Sequence, residues 1–363
     1  MAKIQRIGIL TAGGDCPGLN AVIRAVAKAA MGRHKLEVMG IEDGFLGLVQ
    51  NRMRMLNNES VSNILTLGGT ILGTNNRTSP RQYPVKVDGG FEIRDVTDRC
   101  LEHIEHNKID ALVVIGGDGS MACAADFVRL GVNCIGVPKT IDNDLYGTDV
   151  TFGFATAVAI ATEALDRVHT TAASHHRVMV VEVMGRNAGW IALHSGLASG
   201  SDIILLPEIP INIEIVCDYV TSRSRHGKRF SILCVSEGAR LKDGEQVVHR
   251  VEPTSPDPIR LGGIGQLIAG EIESRTGIET RDIKLGHIQR GGTPVASDRV
   301  LATEFGYSAL ELLVSGEQSR LVVMKGNDVT HIPLEEADGK QRLVPVDHKL
   351  IKAARNIGTS FGD

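Results

Sequence analysis

The sequence predicts an α/β fold made of two parallel-sheet domains of similar construction. Three observations carry that reading. Short apolar runs with strand character alternate with stretches of helical spacing, which is the rhythm of βαβ units. The rhythm starts twice, once near the N-terminus and again after Thr151. Gly supplies 41 of the 363 residues, and in such a fold glycines gather in the turns between strands and helices, where phosphates often bind.

The elements follow in order. Ile7–Leu10 reads as a buried strand, and Asn20–Met31 as a helix with Val22, Ile23, Val26 and Ala30 at helical spacing. Leu36–Ile41 is a second strand. Val96–Asn107 reads as a helix, Ala111–Ile115 as a fully apolar strand, Met121–Leu130 as a helix and Cys134–Val137 as a strand. After the restart, Ala155–Val168 and Ala188–Ser199 read as helices flanking a strand at Val178–Val183. A strand at Ile203–Leu206, a helix near Ile213–Ser224, a strand at Ser231–Val235 and a helix at Gly262–Thr276 continue the pattern. Residues 240–260, with Pro253, Pro256 and Pro258, read as an irregular excursion.

Composition narrows the function classes. Hydrophobic residues at 42% and charged residues at 23% describe a folded globular chain. The net charge of −4, from 39 basic and 43 acidic residues, lacks the basic excess of a nucleic-acid binder. An anionic substrate therefore needs a local basic cluster. The six cysteines are scattered without a CxxC pair, which suits free, mostly buried thiols in a reducing compartment. The first apolar run is only four residues long, and no run approaches about 20, so a soluble cytoplasmic protein is expected, with no membrane partner.

Three loops carry the chemistry. Thr11-Ala12-Gly13-Gly14-Asp15-Cys16-Pro17-Gly18 lies between a strand and a helix, where backbone N–H groups can meet an anion; a plain structural turn fits it as well. Neither GxGxxG nor GxxxxGK[ST] is present. Gly116-Gly117-Asp118-Gly119-Ser120 also joins a strand to a helix. Three glycines around one carboxylate suit a phosphate chain with Asp118 on Mg²⁺, and such loops occur in NAD kinases and lipid kinases too. In Pro138-Lys139-Thr140-Ile141-Asp142-Asn143-Asp144, an extended backbone would project Thr140, Asp142 and Asp144 to one side. One carboxylate can then take a proton from an alcohol while the other helps to place the metal and the base; turn or cap formation is the plainer use of such acids.

Anion-gripping cations stand beside glycine or histidine: Arg177, Arg186 in Met184-Gly185-Arg186, Arg281, and Arg290 in Gly286-His287-Ile288-Gln289-Arg290-Gly291-Gly292. Each alone fits a surface arginine. Glu237 closes an apolar strand, a position where carboxylates commonly face a ligand.

Taken together, GGDGS, PKTIDND, MGR and GHIQRGG resemble the bacterial-type 6-phosphofructokinases over roughly residues 4–315, in the family's order. The resemblance implies two Rossmann-like domains with the active site between them. A donor domain would comprise residues 1–151 plus about 288–335, and a sugar-phosphate domain residues 152–287 plus about 336–363. It implies transfer of the γ-phosphoryl of ATP to the 1-hydroxyl of fructose 6-phosphate, with Mg²⁺. Gly14, Arg77, Gly117, Asp118, Gly119 and Ser120 would hold the donor, with Asp118 on the metal. Asp142 would be the base, with Lys139, Thr140 and Arg186 beside it. Thr140, Asp144, Met184, Gly185, Arg186 and Glu237 would hold the sugar, and His287 and Arg290 its 6-phosphate. Arg177 and Arg281 would reach the 6-phosphate of a neighbouring subunit, which implies a homodimer or homotetramer.

Two positions bear on the finer reading. Gly119 stands where pyrophosphate-using relatives carry a carboxylate, which favours ATP; Lys139 stands where many ATP users have glycine, and favours pyrophosphate. His169 occupies the place of an effector-site arginine, with Asp202 and Lys228 near other effector positions, so weak or absent ADP activation is expected.

Overall fold

The computed structural model describes residues 4–252, 255 and 258–363. Pro253, Pro256 and the first three residues cited above fall outside that set.

The chain begins with β1 (Arg6–Thr11), α1 (Leu19–Ala29), β2 (Glu37–Ile41), α2 (Phe45–Gln50) and β3 (Met53–Leu56). A hairpin of β4 (Tyr83–Val87) and β5 (Gly90–Arg94) precedes α3 (Thr97–His106), β6 (Ala111–Gly116), α4 (Asp118–Arg129) and β7 (Cys134–Pro138). Next come α5 (Phe154–His175), β8 (Val178–Val183), α6 (Trp190–Ala198), β9 (Ile203–Leu205), α7 (Ile213–Arg225) and β10 (Ser231–Ser236). The last part holds β11 (Val248–Val251), β12 (Ile259–Leu261), α8 (Ile264–Thr276), β13 (Thr280–Lys284), α9 (Ala296–Val314), β14 (Arg320–Lys325), β15 (Asp328–Pro333) and α10 (Lys349–Asn356).

These strands form the two sheets that the sequence predicts. The larger runs β15-β14-β7-β6-β1-β2-β3, parallel except at its two antiparallel edges. The smaller, β13-β8-β10-β9, is parallel throughout. Fully apolar strands such as Ala111–Gly116 are what a sheet covered on both faces requires. Alternate residues divide between the faces: Val113 and Ile115 join one core, Leu112 and Val114 another. The first of these cores is continuous across the molecule, from Ile7 and Ile9 of β1 to Met179, Val181 and Val183 of β8. The two sheets therefore share one apolar interior.

Three differences from the expected elements matter for the site. Helix α4 begins at Asp118 rather than Met121, so Asp118, Gly119 and Ser120 form its first turn. The apolar period starts only at Met121, which hid that turn. The segment after β7 is bent rather than extended, with Asn143 at φ 54°. Residues 240–260 contain an antiparallel ribbon, β11 with β12; the exposed Val248, Val251 and Ile259 give it no buried face for a pattern to report.

Candidate active site

Parallel sheets offer ligands the loops beyond the C-terminal ends of their strands. Here both sheets turn that edge toward one cleft of about 1190 Å³. From the larger sheet, β1 leads to Gly14, β6 to Gly117–Ser120, and β7 to Lys139–Asp144. From the smaller, β8 leads to Met184 and Arg186, β10 to Glu237, and β13 to His287 and Arg290. Arg77 lies on the same wall.

Gly14 lies hard against the Arg290 guanidinium. A Cβ there would lie 1.9 Å from Arg290 Nη1. Arg290 donates to the carbonyl of Asp15 at 3.2 Å, and Lys139 Nζ donates to the carbonyl of Gly14, so two cations converge on this loop. Lys139 is buried, and burial lowers its pKa. At Gly119 the situation is the opposite: nothing lies within 4 Å of an added Cβ, and the position opens into the cleft. Asp118 accepts from the Gly119 N–H at 2.7 Å through one oxygen and from Gln341 Nε2 at 3.3 Å through the other.

The bend at Asn143 still delivers Thr140, Asp142 and Asp144 to the cleft. The Asp142 N–H donates to Thr140 Oγ1 at 3.1 Å. Asp142 Oδ1 is buried and has no hydrogen-bond partner among the described residues. A buried carboxylate oxygen left this way is costly unless a ligand group completes it. Burial raises the pKa of Asp142, opposed by the charges of Arg290, Arg186 and Lys139. Burial, then the charge of Asp142, pushes Asp144 up to about 8. Glu237 rises to about 7 for the same two reasons, and accepts from the Arg186 N–H at 3.3 Å. Arg186 itself has φ 50°, an uncommon backbone for a side-chain-bearing residue and the kind of strain that gathers at working sites.

The short turn Gly286–Arg290 is held by Gln289, fully buried, whose Oε1 accepts from the Met184 N–H at 3.4 Å while its Nε2 donates to Gly286. Gln289 thus ties the turn after β13 to the segment after β8.

Of the residues singled out from sequence, Gly185, Arg177 and Arg281 do not line the cleft. Gly185 sits between two lining residues at φ 134°. Arg177 and Arg281 lie together at the edge of the smaller sheet, where both pair with Glu279, at 2.8 and 2.6 Å. Arg77 pairs with Glu252 of the β11–β12 ribbon at 3.3 Å. Asp202 pairs with Arg223 at 2.6 Å, and His169 meets Phe230 edge-on. The sequence reading missed Arg250, Arg260, Lys284 and Gln341, all of which line the cleft. Only Lys284, at the end of a strand before a glycine, carried a local signal. Among the described residues no helix is long and apolar enough to cross a membrane.

The phosphofructokinase family model covers residues 6–313. The chain belongs to the phosphofructokinase family. It is 52% identical to ATP-dependent 6-phosphofructokinase 2 of Clostridium perfringens over the whole of both chains. It is 47% identical to ATP-dependent 6-phosphofructokinase 3 of Bacteroides thetaiotaomicron, covering 99% of this chain and 100% of that one. The phosphofructokinase of Pichia pastoris, solved in the T-state, superposes with a TM-score of 0.79 at 32% identity, covering 93% of this chain. This chain spans 36% of that longer one. A pyrophosphate-dependent phosphofructokinase from Marinobacter aquaeolei superposes with a TM-score of 0.80 at 22% identity, over 99% of this chain and 88% of that one, and shares the fold. The expected α/β phosphofructokinase fold and family are both confirmed.

Proposed function

We propose that this protein is an ATP-dependent 6-phosphofructokinase, transferring the γ-phosphoryl of ATP to the 1-hydroxyl of fructose 6-phosphate with release of ADP. The observation that carries the reading is the convergence of GGDGS, TIDND, MGR and HIQRGG on one cleft between two sheets. The relatives named above support ATP as donor, and the open space at Gly119 leaves room for a nucleotide's phosphates.

In this account Asp142 receives the proton of the 1-hydroxyl through its unpaired Oδ1, and its raised pKa makes it a stronger base than an ordinary aspartate. Lys139 and Arg186 act on it through their charges and stabilise charge on the moving phosphoryl. The first turn of α4, Asp118–Ser120, lines the cleft and would face the donor phosphates at the positive end of the helix. Asp118 would hold Mg²⁺, whose role is to neutralise donor phosphate charge. Among the described residues no cluster of three or more ligands forms a metal cage, which fits a cation completed by phosphate oxygens and water. Thr140, Asp144, Met184, Arg186 and Glu237 hold the sugar, with Gly185 shaping the backbone between two of them, while His287 and Arg290 grip its phosphate.

The two separate sheets support a division into a donor domain (1–151 plus about 288–335) and a sugar-phosphate domain (152–287 plus about 336–363). Arg177 and Arg281, side by side and away from this chain's own cleft, suit a reach into a second copy's site in a homodimer or homotetramer. The cytoplasm suits the six free cysteines. Asp142→Ala tests the assignment: turnover is expected to vanish while fructose 6-phosphate still binds, and surviving turnover refutes the base.

A further inference from the structure

We infer that Gln341, from a segment that none of the motifs includes, is a positioning residue that ties the donor loop to the acceptor loop. The proposal rests on the phosphoryl-transfer reading above. Gln341 follows β15 and a short 3-10 turn, Leu334–Ala337, in a strap that runs on toward α10, and its backbone bridges antiparallel to Leu145. The strap is fixed on the acceptor side. The Arg342 N–H donates to the Asp144 carbonyl at 2.7 Å, and Arg342 Nη1 to the Asn143 carbonyl at 3.1 Å. The Arg342 guanidinium lies 4.0 Å from the ring centre of Trp190, whose Nε1 donates back to the Arg342 carbonyl at 2.9 Å. The Val344 N–H is held by Glu208, which also accepts from Gly189 at the start of α6.

So anchored, the strap presents one amide nitrogen to two carboxylates. Gln341 Nε2 is 3.3 Å from Asp118 Oδ2 and 3.5 Å from Asp144 Oδ2. Asp118 belongs to the donor loop of the larger sheet, and Asp144 to the loop that carries the base. An uncharged donor suits this place, because it orients both acids and leaves the charge of Asp118 available to a cation. A carboxylate there would repel Asp118, and an apolar side chain would orient neither. The strap thereby sets the distance across which the phosphoryl moves, and small errors in such distances are costly to rate.

The test uses three variants that separate shape from donation: Gln341→Glu, Gln341→Met and Gln341→Ala. Positioning by the N–H predicts kcat lower by about tenfold in the Met and Ala variants and by more in the Glu variant, with KM for fructose 6-phosphate within about threefold. A space-filling role predicts near-normal Glu and Met variants and a defective Ala variant. Hydrogen exchange on the ligand-free protein gives a second readout. Faster exchange at Gly116–Ser120 and Thr140–Leu145 in the Glu and Met variants, with α6 unchanged, is expected. Wild-type kcat and exchange in those two variants overturn the inference. If the wild type does not phosphorylate fructose 6-phosphate, the functional reading fails instead, and the exchange measurement still decides the role of Gln341.

Discussion

Gly119→Asp separates stability from donor choice. The position is the second residue of α4, and nothing lies within 4 Å of an added Cβ, so the side chain is accommodated. An acid in the first turn of a helix and the loss of a glycine each favour folding, together by up to about 1 kcal/mol. The thermal midpoint should therefore hold or rise slightly. The new carboxylate would face the phosphate chain of a nucleotide. Two unit charges about 5 Å apart repel by roughly 3 kcal/mol at an effective dielectric of about 20, and by about 1 kcal/mol in bulk water. The expected loss in kcat/KM for ATP is thus between about fivefold and about 150-fold. Steady-state kinetics at saturating fructose 6-phosphate, paired with a melting curve, measure both. Unchanged ATP kinetics in a folded variant would refute the claim that Gly119 keeps the donor site open.

Gly14→Ala should act through Arg290. The added methyl group displaces a guanidinium from 1.9 Å, so KM for fructose 6-phosphate should rise about tenfold with little loss of stability, since the displaced atoms end a flexible side chain. Glu237→Gln tests the pH dependence. The folded-state pKa of Glu237 is raised from 4.5 to about 7, so the native state binds the extra proton and loses stability as pH rises through that window. In the ligand-free protein the Gln variant should melt several degrees higher than wild type at pH 8 and about equally at pH 4, with weaker sugar-phosphate binding; an unaltered pH profile of melting would show that Glu237 is not the titrating group.

Much of this was legible in the sequence, for definite physical reasons. Ala111–Ile115 and Val178–Val183 are buried on both faces and so read as unbroken apolar runs. The candidate loop Gly116–Ser120 was legible because glycines and a carboxylate follow directly on the first of those runs. The first turn of α4 was not, since Asp118, Gly119 and Ser120 belong to the ligand side of the helix rather than to its apolar period. The β11–β12 ribbon is largely exposed, so no burial pattern marked it. Gln341 lies 223 residues from Asp118, and no local spacing relates two such positions. The cross-subunit role of Arg177 and Arg281 came from resemblance alone, and within one chain they pair with Glu279 rather than with the cleft.

The most direct measurement is a parallel assay of the purified protein with fructose 6-phosphate and either Mg²⁺–ATP or Mg²⁺–pyrophosphate, following fructose 1,6-bisphosphate. The account predicts product formation with ATP and little or none with pyrophosphate. Turnover with pyrophosphate and none with ATP would leave the fold and the base in place and contradict the donor; no turnover with either would contradict the function itself.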